Sequence, residues 1–154
     1  MAEHCRYILY GSWLVSVEEE LTYTRNFMEM QNMKYNAGHI LMIDVEDKCL
    51  DCEIPILAIQ IFVENSLKYS RLSTDAMEIH ISVTGKEMDG LFWIHIEIDD
   101  YGAGFDEETL ALLNDPDSKL ADAGRGIGID DVRRRIEILY GAYSKILNSR
   151  VFRH

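Results

Sequence analysis

The chain has little that would hold a nucleic acid, cross a membrane or staple a secreted fold. Lys and Arg number 15 against 27 Asp and Glu, for a net charge of -12. Partners gripped by a phosphate backbone need a basic face that releases counterions, so nucleic acid is excluded. No run of about 18 apolar residues occurs, and this piece is not expected to insert into a membrane. The opening Met1-Ala2-Glu3-His4-Cys5 also lacks the basic-then-apolar layout of a secretory signal. Three cysteines, Cys5, Cys49 and Cys52, are too few for a disulfide framework and fit a reducing compartment. Cys49-Leu50-Asp51-Cys52 spells C-x-x-C. With no second ligand pair nearby it reads as two incidental thiols near a helix start, ahead of a zinc or redox site. Internal repeats and low-complexity segments are missing as well.

What is present is a globular balance, 47% hydrophobic and 27% charged over 154 residues, enough for a single core. Ser16-Val17-Glu18-Glu19 is a capping box, and Val17, Leu21, Phe27, Met28 and Met30 give the following helix an apolar face to about Asn32. Ile40 to Val45 reads as a strand and Glu46 to Glu53 as an acidic loop. From Ile54 to Val63 almost every residue is apolar, which predicts a buried helix with Pro55 in its first turn. Met77 to Val83 and Leu91 to Asp99 alternate as strands of a hairpin whose turn is expected over Gly85 to Gly90. A short helix over Asp106 to Asn114, a polar loop to Ala123 that is a candidate mobile segment, and a last amphipathic helix from Gly128 to Gly141 complete the pattern.

Three segments carry chemistry. Glu64-Asn65-Ser66-Leu67-Lys68 puts strongly polar side chains at the end of the apolar helix, where they need partners or a ligand. The plainer reading is a surfacing helix with a Glu64–Lys68 pair one turn apart. In the second strand Phe92, Ile94, Ile96 and Ile98 share a face, and Asp100 continues that parity while Asp99 points away. A carboxylate there, just before Gly102-Ala103-Gly104, suits an amino group on a flat aromatic base; the plainer reading is an Asp capping its turn. Gly124-Arg125-Gly126-Ile127-Gly128 leads into a helix and offers uncovered N–H groups that suit phosphates. Its G-x-G-x-G spacing after a polar loop fits neither a Rossmann turn nor a P-loop.

In this order the three segments resemble the N, G1 and G2 boxes of the ATPase superfamily that unites gyrase, a heat-shock chaperone, mismatch-repair proteins and histidine kinases. The wording is most similar to sensor histidine kinases that read I-P-x-L-x-L-Q-x-L-V-E-N-A-I-K-H. Here the line runs Ile54-Pro55-Ile56-Leu57-Ala58-Ile59-Gln60-Ile61-Phe62-Val63-Glu64-Asn65-Ser66-Leu67-Lys68-Tyr69. Glu19-Glu20-Leu21-Thr22-Tyr23-Thr24-Arg25-Asn26, on to Gln31, also resembles the E-E-L-x-Y-x-x-N-x-x-x-x-Q helix of the same kinases.

The resemblance implies a Bergerat-type ATP-binding fold, an α/β (α+β) two-layer sandwich with a mixed sheet and helices on one face. It implies ATP and Mg²⁺ as ligands. Asn65 would coordinate the metal, Glu64 would sit beside it or its waters, and Lys68 would neutralise phosphate charge. Asp100 would accept from the adenine amino group, with Gly102 and Gly104 shaping the base pocket. Gly124, Arg125, Gly126, Ile127 and Gly128 would line the phosphates under a lid of residues 105 to 123. Implied partners are a phosphoacceptor helix upstream in the same or a paired chain and a response regulator. The implied parent is a homodimer anchored in the cell membrane, with this part cytoplasmic. Residues 1–34 are expected to end a helical region and 35–154 to form the ATP-binding domain, cut before its last strand. None of His4, His39, His80, His95 and His154 has the acceptor's P-H-F-x-F-N neighbours. Departures are Tyr101 for the usual Asn, Ile61 for Pro and Tyr69 for His. Hydrolytic relatives and anti-sigma-factor serine kinases keep a Glu at the place of Ile61, so rapid hydrolysis and the serine-kinase reading are disfavoured. A catalytically silent nucleotide-sensing or protein-binding module is the alternative.

Overall fold

Ser16 opens the first helix in the manner its neighbours predict. In the computed structural model its hydroxyl accepts from Glu19 N–H at 3.1 Å while the Glu19 carboxylate accepts from Ser16 N–H at 2.9 Å. Helix α1 runs Val17–Tyr35, a turn beyond the expected end, and stops where Asn36 turns left-handed at φ 49° and donates to the Asn32 carbonyl. The structure describes residues 14–70 and 76–100, and positions 107, 108, 111 and 115 besides. Two compact units are distinguished, Met1–Tyr101 and Gly102–His154. In the second, Glu107, Glu108 and Ala111 are helical, within the short helix expected there. The remainder of that helix, the polar loop apart from Asp115, the last helix, and Gly102, Gly104 and residues 124–128 lie outside the described residues.

In the first unit, strand β1 (Leu14–Ser16) precedes α1, and β2 (Ile40–Val45) follows it. The acidic loop then holds a 3₁₀ turn, Asp47–Cys49, and a strand, β3 (Glu53–Pro55), which pairs antiparallel with β1. Carbonyls of this loop also take the first donors of α1: Val17 N–H to Cys52 O at 2.9 Å and Glu18 N–H to Leu50 O at 3.1 Å. The C-x-x-C thus sits in a structural loop, with Cys49 fully buried and both thiols free.

The apolar run after Glu53 corrects the predicted helix start. Pro55 belongs to β3 opposite Leu14, residues 56–59 form a turn, and helix α2 spans only Gln60–Ser70. Leu57 is left-handed at φ 66°, which interrupts any helix through it. Ile59, Val63 and Leu67 are buried at four-residue spacing, whereas Ile61 and Phe62 are half-buried. The helix is therefore striped, not apolar all round.

Strands β4 (Glu78–Met88) and β5 (Leu91–Asp100) form the hairpin, and the sheet order is β2-β4-β5 with β2 parallel to β4. The turn is shorter than predicted: Asp89 at φ 54° and Gly90 at φ 75° close it as a two-residue Asp-Gly turn, and Gly85 to Met88 continue the strand. Ile79, Ile81 and Val83 are fully buried; Leu41, Ile43 and Val45 lie beside them in register on β2, as do Asp100, Ile98 and Ile96 on β5. The other face is wet, carrying Asp44, His80 and Glu97, with His80 Nε2 2.7 Å from Asp44 Oδ2. This is the α+β arrangement of a mixed sheet with one face covered.

His39 ties the helix end to the sheet. Its N–H donates to Asn32 Oδ1 at 3.0 Å, its carbonyl accepts from Asn32 Nδ2 at 2.9 Å, and its Nδ1 accepts from Met77 N–H at 3.0 Å. Desolvation holds its pKa below the ordinary value, in keeping with a ring nitrogen that must accept.

Gly85 is required by packing. A Cβ there would run into the Phe92 ring and come within 2.8 Å of Cys49 Sγ. Phe92 is exposed and can swing aside, but Cys49 is buried. Gly85→Ala is expected to destabilise by about 1–3 kcal/mol in urea denaturation. Adding Cys49→Ala should relieve part of this, so the double variant loses less than the sum of the singles; strict additivity would refute the contact.

Candidate nucleotide site

Helix α2 and the end of β5 bring two of the three predicted segments together. Asp100 lies opposite Ile79 in the hairpin register, so its parity places it on the covered face of the sheet, at an exposed end. Ser66 Oγ donates to Asp100 Oδ2 at 2.5 Å, across 34 positions of sequence. Flanking Ser66 on the helix, Asn65 is half-buried and Lys68 exposed. Glu64 accepts from Gln60 Nε2 at 3.0 Å, one turn back, whereas the plainer reading had paired it with Lys68 one turn on. Glu64, Asn65, Lys68 and Asp100 are thus described, whereas Gly102, Gly104, Gly124, Arg125, Gly126, Ile127 and Gly128 are outside the described residues. A shallow pocket of about 230 Å³ on β2 and β4, lined by Asp44, Glu46, Ser82 and Thr84 among others, shares no residue with this site.

Two residues that support the site were not singled out in the sequence. Ser66 stands where the quoted kinase motif has alanine, and its signal was a hydroxyl beside Asn65 on the helix. Glu20 is the other. It is fully buried in α1, with Oε2 accepting from Leu57 N–H at 3.1 Å and Oε1 from Ile59 and Gln60 N–H, both at 3.2 Å. One carboxylate therefore holds the left-handed Leu57 and caps the N-terminus of α2, the helix that carries Asn65 and Ser66. Burial nevertheless pushes its pKa above the ordinary carboxylate value, outweighing the three backbone donors. Its signal was position: Glu20 falls on the stripe Val17, Leu21, Thr24, Met28, all buried.

Among the described residues no group of three or more His, Cys, Asp or Glu side chains is arranged to hold a metal ion. Magnesium commonly takes one or two protein oxygens and completes its shell with phosphates and water, so the donors on α2 fit such an ion. Among the described residues no helix is long and apolar enough to cross a membrane.

Residues 53–151 match the model of the histidine kinase-, DNA gyrase B-, and HSP90-like ATPases. The chain belongs to that family, and the ATP-binding domain expected from the three boxes is borne out. It is similar to sensor histidine kinase YesM of Bacillus subtilis (strain 168), with 28% identity over 128 residues, 83% of this chain and 20% of that protein. It is also similar to sensor protein LytS of Enterococcus faecalis, 25% identical over 83% of this chain and 21% of that one. A third relative is sensor histidine kinase/phosphatase LytS of Staphylococcus aureus (strain Mu50), 26% identical over 82% of this chain and 21% of its own length. The chain spans about a fifth of the length of these curated relatives. Among solved structures, the catalytic domain of histidine kinase ThkA matches with a TM-score of 0.49 and 16% identity, over 83% of this chain and 80% of that one.

Proposed function

We propose that this chain presents Mg-ATP for phosphorylation of a histidine on another helical segment, as the catalytic part of a sensor histidine kinase. The observation that carries the reading is the Ser66–Asp100 hydrogen bond, which joins the segment with phosphate and metal chemistry to the segment with base chemistry. Asp100 accepts from the adenine amino group, and Gly102 and Gly104 let the ring approach the backbone. Asn65 would supply an oxygen to Mg²⁺, Glu64 would sit beside the metal or its waters, and Lys68 would neutralise phosphate charge. In this reading Gly124, Arg125, Gly126, Ile127 and Gly128 would offer backbone donors to the phosphates, and residues 105 to 123 would act as the lid over the nucleotide. The metal's contribution is to neutralise charge on the phosphates, and the remaining work is positioning, which suits phosphoryl transfer. With Ile61 one turn before Asn65, no carboxylate is placed there to activate water, so the phosphoryl group is kept for transfer.

The acceptor histidine belongs to an upstream helix of the same or a paired chain, within a homodimeric parent held at the membrane with this part in the cytoplasm. Its phosphoryl group passes to a response regulator. Residues 1–34 end the helical region, and 35–154 form the ATP-binding domain.

Calorimetric titration with a non-hydrolysable ATP analogue, with and without Mg²⁺, tests this. Binding is expected to tighten at least tenfold with Mg²⁺ in the parent, about 1.4 kcal/mol. Asn65→Ala should erase most of that gain while retaining the metal-free affinity. A folded parent that binds in neither condition would overturn the reading in favour of a silent module.

A further inference from the structure

We infer that Gln60 is a positioning residue for the nucleotide site: it holds the Glu64 carboxylate back along α2 and so leaves the Lys68 ammonium for phosphate. The inference rests on the reading of Lys68 as a phosphate-side group. Gln60, Glu64 and Lys68 follow one another at four-residue spacing, so the three side chains stack along one ridge of the helix. Glu64 stands in the middle of that ridge, within reach of a partner on either side. A glutamate four residues ahead of a lysine is the favoured order for an exposed helical ion pair. Here that pair would work against the site, because a carboxylate on the Lys68 ammonium cancels the charge a phosphate would meet.

The competition falls to Gln60. Its Nε2 donates to Glu64 Oε1 at 3.0 Å, and among the described residues no ion pair joins Glu64 to Lys68. Gln60 and Glu64 are both half-buried, whereas Lys68 is exposed and its hydrated ammonium gains little from an ion pair. The main chain of Gln60 is also anchored from another helix, since its N–H donates to Oε1 of the fully buried Glu20 at 3.2 Å. Glu20 therefore seats the first residue of α2, and the side chain of that residue seats Glu64. Alanine at position 60 would keep the N–H bond to Glu20 and suit the helix, so it removes only the second link.

The test is a double-mutant cycle between Gln60 and Lys68, read by titration calorimetry with a non-hydrolysable ATP analogue and Mg²⁺. Lys68→Ala should weaken binding about tenfold, the loss of one charge-assisted contact to phosphate. Gln60→Ala should weaken it about two- to threefold, set by how often a released Glu64 pairs with Lys68 on a helix surface. Gln60→Met, similar in length but without the donor, should match Gln60→Ala. In the Lys68→Ala background the same two substitutions should change nothing, because no ammonium is left for Glu64 to take. Equal weakening in both backgrounds, or weakening by Gln60→Ala alone, would mean a merely structural role for Gln60 and overturn the inference. So would full affinity in Gln60→Ala and Gln60→Met while Lys68→Ala binds weakly, an outcome that leaves the reading of Lys68 intact. Full affinity in Lys68→Ala, or no binding by the folded parent, would overturn that reading and this inference with it.

Discussion

Asp100→Ala is expected to weaken ATP binding about a hundredfold, equivalent to about 2.7 kcal/mol, with the melting temperature almost unchanged. In the bound state the adenine amino group leaves water, and without its acceptor it stays unsatisfied, at a cost of about 1–3 kcal/mol. Loss of a charge-assisted acceptor puts the effect toward the upper end of that range. In the free protein Asp100 is exposed, so groups its deletion unpairs there, the Ser66 hydroxyl among them, can turn to solvent. Asp100→Asn should be milder, about tenfold, because one orientation of the amide keeps an acceptor toward the base if Ser66 reverses its role from donor to acceptor. Titration calorimetry with thermal unfolding of each variant checks the pattern. Retained affinity in Asp100→Ala would remove this residue from the site.

That a carboxylate would be presented at this place is legible in the sequence. Strict alternation from Phe92 to Ile98 fixes the parity of every second side chain, so Asp100 had to share the face of its strand neighbours, and the hairpin register agrees. The α1 capping box was equally legible, because both of its hydrogen bonds are local in sequence. The start of α2 was not. Apolar composition from Ile54 to Ile59 cannot distinguish a buried helix from a short strand and turn, and the deciding groups are distant: Leu14 pairs with Pro55, and Glu20 takes three donors from residues 57–60. Ser66 escaped for a related reason, since its meaning depends on a partner 34 positions away. Periodicity reports which face is covered. It is silent on which polar side chain reaches across.

Glu20 is where this long-range control can be measured. Glu20→Ala is expected to lower stability by about 3 kcal/mol, a large share of a typical domain's total, because three N–H groups lose their acceptor in a buried place. Water entering the space would offset part of the loss. Glu20→Gln should be milder, since the amide oxygen can still serve Ile59 and Gln60 while its amino group faces the Leu57 N–H. The two variants also separate a pH effect. Burial raises the folded pKa of Glu20 above the ordinary 4.5, so between that value and the raised one the folded chain holds a proton that the unfolded chain has released. Stability from this group is fully present below about pH 4.5 and declines as pH rises through the folded pKa. His39 acts in the opposite sense: its lowered pKa removes stability as pH falls below the ordinary 6.5. The difference between parent and Glu20→Gln in urea denaturation therefore isolates Glu20, and the parent's advantage should shrink with rising pH. A difference that is flat or grows with pH would refute the assignment. Because Glu20 lies on α1 and its donors lie at the start of α2, the same variants join helix position to nucleotide binding. Loosening the cap should weaken ATP binding in folded Glu20→Ala even though Glu20 itself lies outside the proposed nucleotide-contact set, since Asn65 and Ser66 ride on the helix it holds.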